Sequence, residues 1–220
     1  MRRRAIGPRA GTPDRGAGGR PSRPPAGLRG FTLVEVLLVL ALIAALAATA
    51  IPMLDWAAAE GRVRGAAFHL AARCGWLRLA AVHRNANVAL RFEQVGGSWE
   101  YRAYMDGDGD GVLSADIAAG RDVPVGEAER IEGLFRDVRF GFAPGCPLID
   151  GSPSDGESPV RIGSARMLSF SNNGTATSGT LYLTGKPGTA GFAVVILGAT
   201  GRTRLLRCVP HSGRWQDHGR

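Results

Sequence analysis

Arg29-Gly30-Phe31-Thr32-Leu33-Val34-Glu35 opens a run of 23 residues, Phe31 to Met53, in which Glu35 is the one charged side chain. A helix of that length rises about 1.5 Å per residue and spans roughly 35 Å, enough to cross the hydrocarbon core of a bilayer. A secretory signal peptide would have a shorter apolar core followed by a small-x-small cleavage site. Here the run continues through Ala57, Ala58 and Ala59 with no turn signal, so cleavage behind it is not expected. Glu35 is costly in such surroundings: an acid at mid-membrane costs about 2.5 to 3.5 kcal/mol, less near the interface, and the carboxylate wants a partner.

Upstream, residues 1–30 hold eight arginines against Asp14, a net charge of +7, in a Gly/Pro/Arg-rich composition with almost nothing to bury. This segment reads as a basic leader that stays cytoplasmic and directs the C-terminus outward. Arg2, Arg3 and Arg4 lie too far from the apolar run for a twin-arginine signal. The formal charge of +8 would by itself indicate a nucleic-acid or membrane-surface partner, but the leader supplies nearly all of it and the remaining residues carry +1. A chain of 220 residues, 45% hydrophobic, holds one ordinary domain plus an appendage and excludes a disulfide-stapled mini-protein. Its 32 glycines and 13 prolines confine long helix to a minor part of the chain.

Gly30-Phe31-Thr32-Leu33-Val34-Glu35, followed by the apolar stretch and Pro52, resembles the class III signal of type IV prepilins and type II secretion pseudopilins. The resemblance implies that a prepilin peptidase cuts between Gly30 and Phe31 on the cytoplasmic face and methylates the new amino group of Phe31. Glu35 would then pair with the N-terminal amine of a neighbouring subunit. Opposite charges in a low dielectric compensate one another, and the pair sets the stagger between subunits. Pro52 matches the family's helix-kinking proline, which removes a helix hydrogen bond. The leader is longer than prepilin leaders usually are.

Beyond Pro52 the pattern turns amphipathic. Val63, Ala66, Ala67, Leu70, Cys74, Leu77 and Ala81 recur at three- and four-residue steps with arginines between them. One helix is predicted from about 31 to 85, its first half in the membrane and its second half laid on a sheet. From Val88 the period becomes two, and Gly96-Gly97 turns a hairpin into Trp99 to Tyr104. Further strands are predicted over Asp137 to Phe142, Met167 to Ser171, Thr180 to Thr184, Phe192 to Leu197 and Thr203 to Val209. Ala143 to Ser164, rich in Gly, Pro and Ser, reads as a surface loop.

The expected organisation is therefore a cleaved leader over 1–30, a transmembrane half-helix over 31–53 and an amphipathic half over 54–86. A β-rich domain over 87–210 and a tail over 211–220 complete it. This is an α+β, pilin-like plan with a long N-terminal helix packed on antiparallel sheet. Ala80 to Val88, Phe170-Ser-Asn-Asn-Gly174 and Gly201-Arg-Thr-Arg204 also resemble the GspH/FimT family of minor pseudopilins and minor pilins.

Asp106-Gly-Asp108-Gly-Asp110-Gly111 begins like a calcium loop, with acids at positions one, three and five. The twelfth position is Ile117 where a bidentate Glu belongs, and Asp116 comes one place early. A Ca²⁺ site and a solvated acidic turn both stay open; no cofactor is otherwise required. Among three cysteines, Cys74 lies on the apolar stripe, so Cys146 and Cys208 are the favoured pair if an extracytoplasmic domain forms a disulfide. His69 and His83 on the helix read as ordinary surface or groove residues. No nucleophile elbow, phosphate loop or paired catalytic acids appear in a convincing context, and an enzyme is not expected.

Residues 186–220 carry +5 and residues 31–185 carry −4. On a strand Arg202 and Arg204 share one side about 6.8 Å apart, a spacing suited to phosphates or to a solvated edge strand that discourages aggregation. Gly201-Arg202-x-Arg204 resembles the Gly-Arg-x-Arg element of DNA-binding FimT-like minor pilins used in DNA uptake. The function so expected is that of a minor pseudopilin or minor pilin subunit in type II secretion or a type IV pilus. Before assembly it is bound in the inner membrane with its C-terminal domain in the periplasm. Its expected partners are prepilin peptidase, other pilin-like subunits, the inner-membrane assembly platform and secreted cargo, with a DNA receptor as the alternative.

Overall fold

The structure, a computed structural model, describes residues 30–210 and 212–218; residues 1–29 of the expected leader lie outside it, as do 211, 219 and 220 of the expected tail. The apolar run and the amphipathic stretch form one helix, α1 (Leu33–Arg84), with Pro52 inside its span. The chain divides into two compact units at Leu46 and Ala47. The described part of the first is apolar helix; the second holds the rest of α1 and every strand.

In the second unit Val63, Ala66, Ala67, Leu70, Cys74, Leu77 and Ala81 are fully buried, as their spacing predicts. The alanines let the sheets approach α1 closely, while each buried leucine contributes about 1.5 to 3 kcal/mol. Helix α1 ends where Asn85 takes a left-handed φ of 51°. The Asn85 and Ala86 N–H groups donate to the carbonyls of Val82 and Ala81 at 3.3 and 3.2 Å, a Schellman cap, and His83 and Arg84 answer the helix dipole.

Two antiparallel sheets pack with α1. In the first, the order is β3 (Val123–Arg130), β2 (Ser98–Met105), β1 (Val88–Val95), β6 (Met167–Phe170). Strands β1 and β2 form the predicted hairpin, with positive φ at both Gly96 and Gly97. In the second, β10 (Trp215–Asp217), β9 (Arg202–Cys208), β8 (Gly191–Leu197) and β7 (Gly179–Thr184) pair in that order. The short β4 (Arg139–Phe140) and β5 (Val160–Ile162) both lie against β7. Two short helices, α2 (Ser114–Ala119) and α3 (Ile131–Leu134), flank β3. Phe92, Tyr101 and Phe140 meet in the core, with Phe140 edge-on to both others at 5.9 and 6.3 Å between centroids. The result is the α+β plan the sequence predicts, a long apolar N-terminal helix packed on antiparallel sheets, consistent with a pilin-like fold.

Three features depart from the sequence reading. Strand β3 carries Pro124 and Gly126, which argue against a strand. It is an edge strand, with Gly126 at φ 85° beside a register shift opposite Tyr101 and Ala103, where missing ladder bonds are tolerated. The segment read as the surface loop 143–164 buries Ala143, Cys146, Leu148, Val160 and Ile162 and contains β5. Leu148 packs with Tyr182, Ala193 and Leu206 on the face of the second sheet opposite α1, while Val160 and Ile162 join the main core with α1. Trp215–Asp217, in the segment read as a tail, forms β10, and the Trp215 indole donates to the Pro147 carbonyl at 2.8 Å.

Candidate functional site

Gly30 has no atom near the position a Cβ would occupy, and Phe31 is 78% exposed. Both residues of this pair are exposed. Thr32 caps α1: its Oγ1 accepts the Glu35 N–H at 3.2 Å and its carbonyl accepts the Val36 N–H at 3.2 Å. Thr32-x-x-Glu35 is the spacing of a capping box, a signal present in the sequence that the resemblance alone did not use. It begins the helix two residues beyond Phe31 and places an acid in the first turn, where the helix dipole favours negative charge. Glu35 is exposed and has no cationic partner among the described residues. The large apolar side chains from Phe31 to Leu54 are also exposed along the helix, uncovered by any other described residue, and the helix is long and apolar enough to cross a membrane. Pro52 lies within this stretch.

Cys146 and Cys208 form a disulfide across 62 residues of sequence, which ties the 143–164 segment to β9 and suits an extracytoplasmic domain. Cys74 is the free thiol; burial pushes it up to about 12, so it packs as a neutral hydrophobe.

The acidic loop is held by its own hydrogen bonds. Asp106 accepts N–H groups of Asp108, Gly109 and Gly111 at 3.2, 2.7 and 2.9 Å and the Asn87 amide at 2.8 Å. Burial pushes the Asp106 carboxyl up, but these hydrogen bonds together outweigh it and hold it below its ordinary range. Asp110 is pushed up, first by its side-chain hydrogen bond with Asp108 and then by burial and neighbouring carboxylates. Asp122, absent from the sequence-based set, joins Asp106 and Asp108 in one carboxylate group. Its two oxygens accept the Gly107 and Leu113 N–H groups at 3.2 and 2.9 Å. Asp108, Asp110 and Asp116 form a second group, and there Arg121 pairs with both Asp108 and Asp116. Ile117, at the place of the twelfth ligand, packs half-buried against the apolar cluster of Ala89, Val112 and Met167. What these carboxylates hold in this structure is the loop, with a guanidinium among them.

Arg202 and Arg204 are both exposed on β9, and Arg204 pairs with Asp217 of β10 at 2.8 Å. Gly201, just before them, has φ 60° and lies so close to the Phe170–Gly174 turn that a Cβ would sit 2.6 Å from the Gly174 carbonyl oxygen and 2.9 Å from Arg78 Cδ. Arg78 of α1 donates to that same carbonyl at 3.1 Å. The two stretches thus meet at one helix arginine; close approach requires the glycine at 201, and a left-handed φ of 84° favours the one at 174.

A further polar cluster joins the first sheet to α1. Glu129 of β3 accepts the Tyr101 hydroxyl at 3.2 Å, faces His69 Nε2 at 3.3 Å and pairs with Arg73 at 3.2 Å. Burial, then the Glu129 charge, pushes the Tyr101 hydroxyl up. Linear sequence places no acid near His69; only the pairing of β3 brings one. The cluster pins an edge strand to the helix.

Compared with protein-family models, curated proteins and solved structures, the chain matches none.

Proposed function

We propose that this chain is a minor pseudopilin or minor pilin subunit, processed by prepilin peptidase and assembled into a type II secretion or type IV pilus filament. The observation that carries the reading is the N-terminus: an exposed Gly30–Phe31 pair, a Thr32 cap, and a Glu35 with no cationic partner among the described residues, on an exposed apolar helix. Cleavage would leave an ammonium at Phe31, and methylation keeps its charge. The Glu35 carboxylate of one subunit then meets the amine of the next, and because both sit in low dielectric, a register that leaves either alone is disfavoured. The chain is a substrate of the peptidase rather than a catalyst. Its work is mechanical: α1 packs among other helices while the β domain stays in the periplasm and meets neighbouring subunits or cargo. The pairing of Arg204 with Asp217 supports this reading over that of a DNA receptor, since it answers one of the two guanidiniums within the chain.

The test is Glu35→Gln in the native cell. The variant is expected to be cleaved normally, to remain in the membrane fraction, and to be lost from sheared or cross-linked filament material. Normal incorporation of the variant would refute the register role.

A further inference from the structure

Helix α1 is apolar on two opposite faces. At 100° per residue Phe68 and Leu79 lie roughly opposite the buried stripe centred on Leu70 and Cys74, with Trp76 and Val82 to either side of them. Phe68, Trp76, Leu79 and Val82 are 42, 45, 67 and 50% exposed, and Trp76, Leu79 and Val82 line an open hollow of about 510 Å³ with Ala80, His83 and Arg84. Between these large side chains Gly75 faces open space, as does Gly61 two turns earlier, leaving holes for another helix's side chains.

The charge on this stretch is one-sided. Residues 61–84 hold five arginines and no acid. Arg62 and Arg73 are answered from elsewhere in the fold, by Asp137 and Glu129. Arg64 lies over the Phe68 ring at 5.5 Å, Arg78 donates to the Gly174 carbonyl and Arg84 to Met105 Sδ, so these three have no carboxylate partner among the described residues. A second copy of this face would bring arginine against arginine.

We propose that this outward face of α1 docks a helix of a different subunit, one whose apolar stripe is flanked by carboxylates. The proposal rests on the subunit reading above and names the chemistry of the partner. Apolar knobs and glycine holes supply the packing, and the arginine flanks reject a second copy and select an acidic partner.

The test uses the full chain in detergent and two labelled helical peptides with the same Leu/Ala stripe, one flanked by Glu and one by Lys, with binding read by fluorescence anisotropy. The Glu-flanked peptide is expected to bind about tenfold tighter, since several exposed charge pairs each contribute modestly. High salt should erase that preference, Leu79→Gln should weaken both peptides, and Arg64→Glu with Arg84→Glu should reverse the order. Equal affinity for the two peptides, binding of neither, or a homodimer abolished by Leu79→Gln would overturn the proposal. Cleavage at Gly30, followed separately in the arginine double variant, reports on the subunit reading alone.

Discussion

Gly201→Ala asks most of the packing around the Phe170–Gly174 turn. The new methyl would stand 2.6 Å from the Gly174 carbonyl oxygen and 2.9 and 3.0 Å from Arg78 Cδ and Nε, at a φ of 60° that L side chains rarely adopt. The left-handed conformation costs roughly 1 to 2 kcal/mol. Moving the Gly174 carbonyl breaks its 3.1 Å hydrogen bond from Arg78, and a hydrogen bond to a charged group is worth about 1.5 to 3 kcal/mol. The sum is a loss of about 2.5 to 5 kcal/mol. Urea unfolding of the full chain in detergent, followed by tryptophan fluorescence, should show the midpoint fall accordingly. Arg78→Ala should lose part of the same energy, and the double variant should lose less than the two separately because they share one contact. Arg202→Ala, one residue along and exposed, should change stability by no more than about 0.5 kcal/mol. A Gly201→Ala midpoint equal to wild type would refute the close approach and return the glycine to some other role.

Replacing Cys146 and Cys208 together by serine frees a loop of 62 residues' separation and should cost about 4 kcal/mol by loop entropy; a melting temperature unchanged by reducing agent would contradict this. Asp106→Asn should lower the melting temperature at neutral pH. A carboxyl held below its ordinary value of 3.8 stabilises the fold above that value and loses the contribution as pH falls through its lowered one, so the wild-type advantage should narrow in acid; a pH-independent difference would count against the charge. Leu70→Ala, at a fully buried position, should cost about 2 to 5 kcal/mol in the same unfolding assay. With Arg204 paired to Asp217, duplex DNA should bind the full chain only in the non-specific range, roughly 10⁻⁴ to 10⁻⁶ M at physiological salt. Tighter binding lost in Arg202→Ala with Arg204→Ala would instead favour the DNA-receptor reading.

Where a segment obeys one period throughout, its structure was legible in the sequence. The small-residue stripe of α1 and the alternation around Gly96-Gly97 gave the helix, the hairpin and the α+β plan. Strand β3 was not legible, because an edge strand tolerates the Pro124 and Gly126 that a central strand would reject. The Cys146–Cys208 bridge was legible by setting Cys74 aside on the apolar stripe, but the role of 143–164 was not, since nothing local marks Leu148 as an anchor on a sheet. Within the candidate sites, Gly30, Phe31 and Glu35 stand out because they are close together in the sequence, and the Thr32 cap could have been read from its spacing to Glu35. Asp122 and Glu129 could not, because each reaches its partners only through the folding of β3 and the loop before it.

Processing at Gly30 is read out by intact mass and N-terminal peptide mapping of the protein from its native membrane, beside Gly30→Ala. A chain beginning at N-methyl-Phe31 that disappears in the variant is expected; a chain retaining its leader in cells with active prepilin peptidase would refute processing.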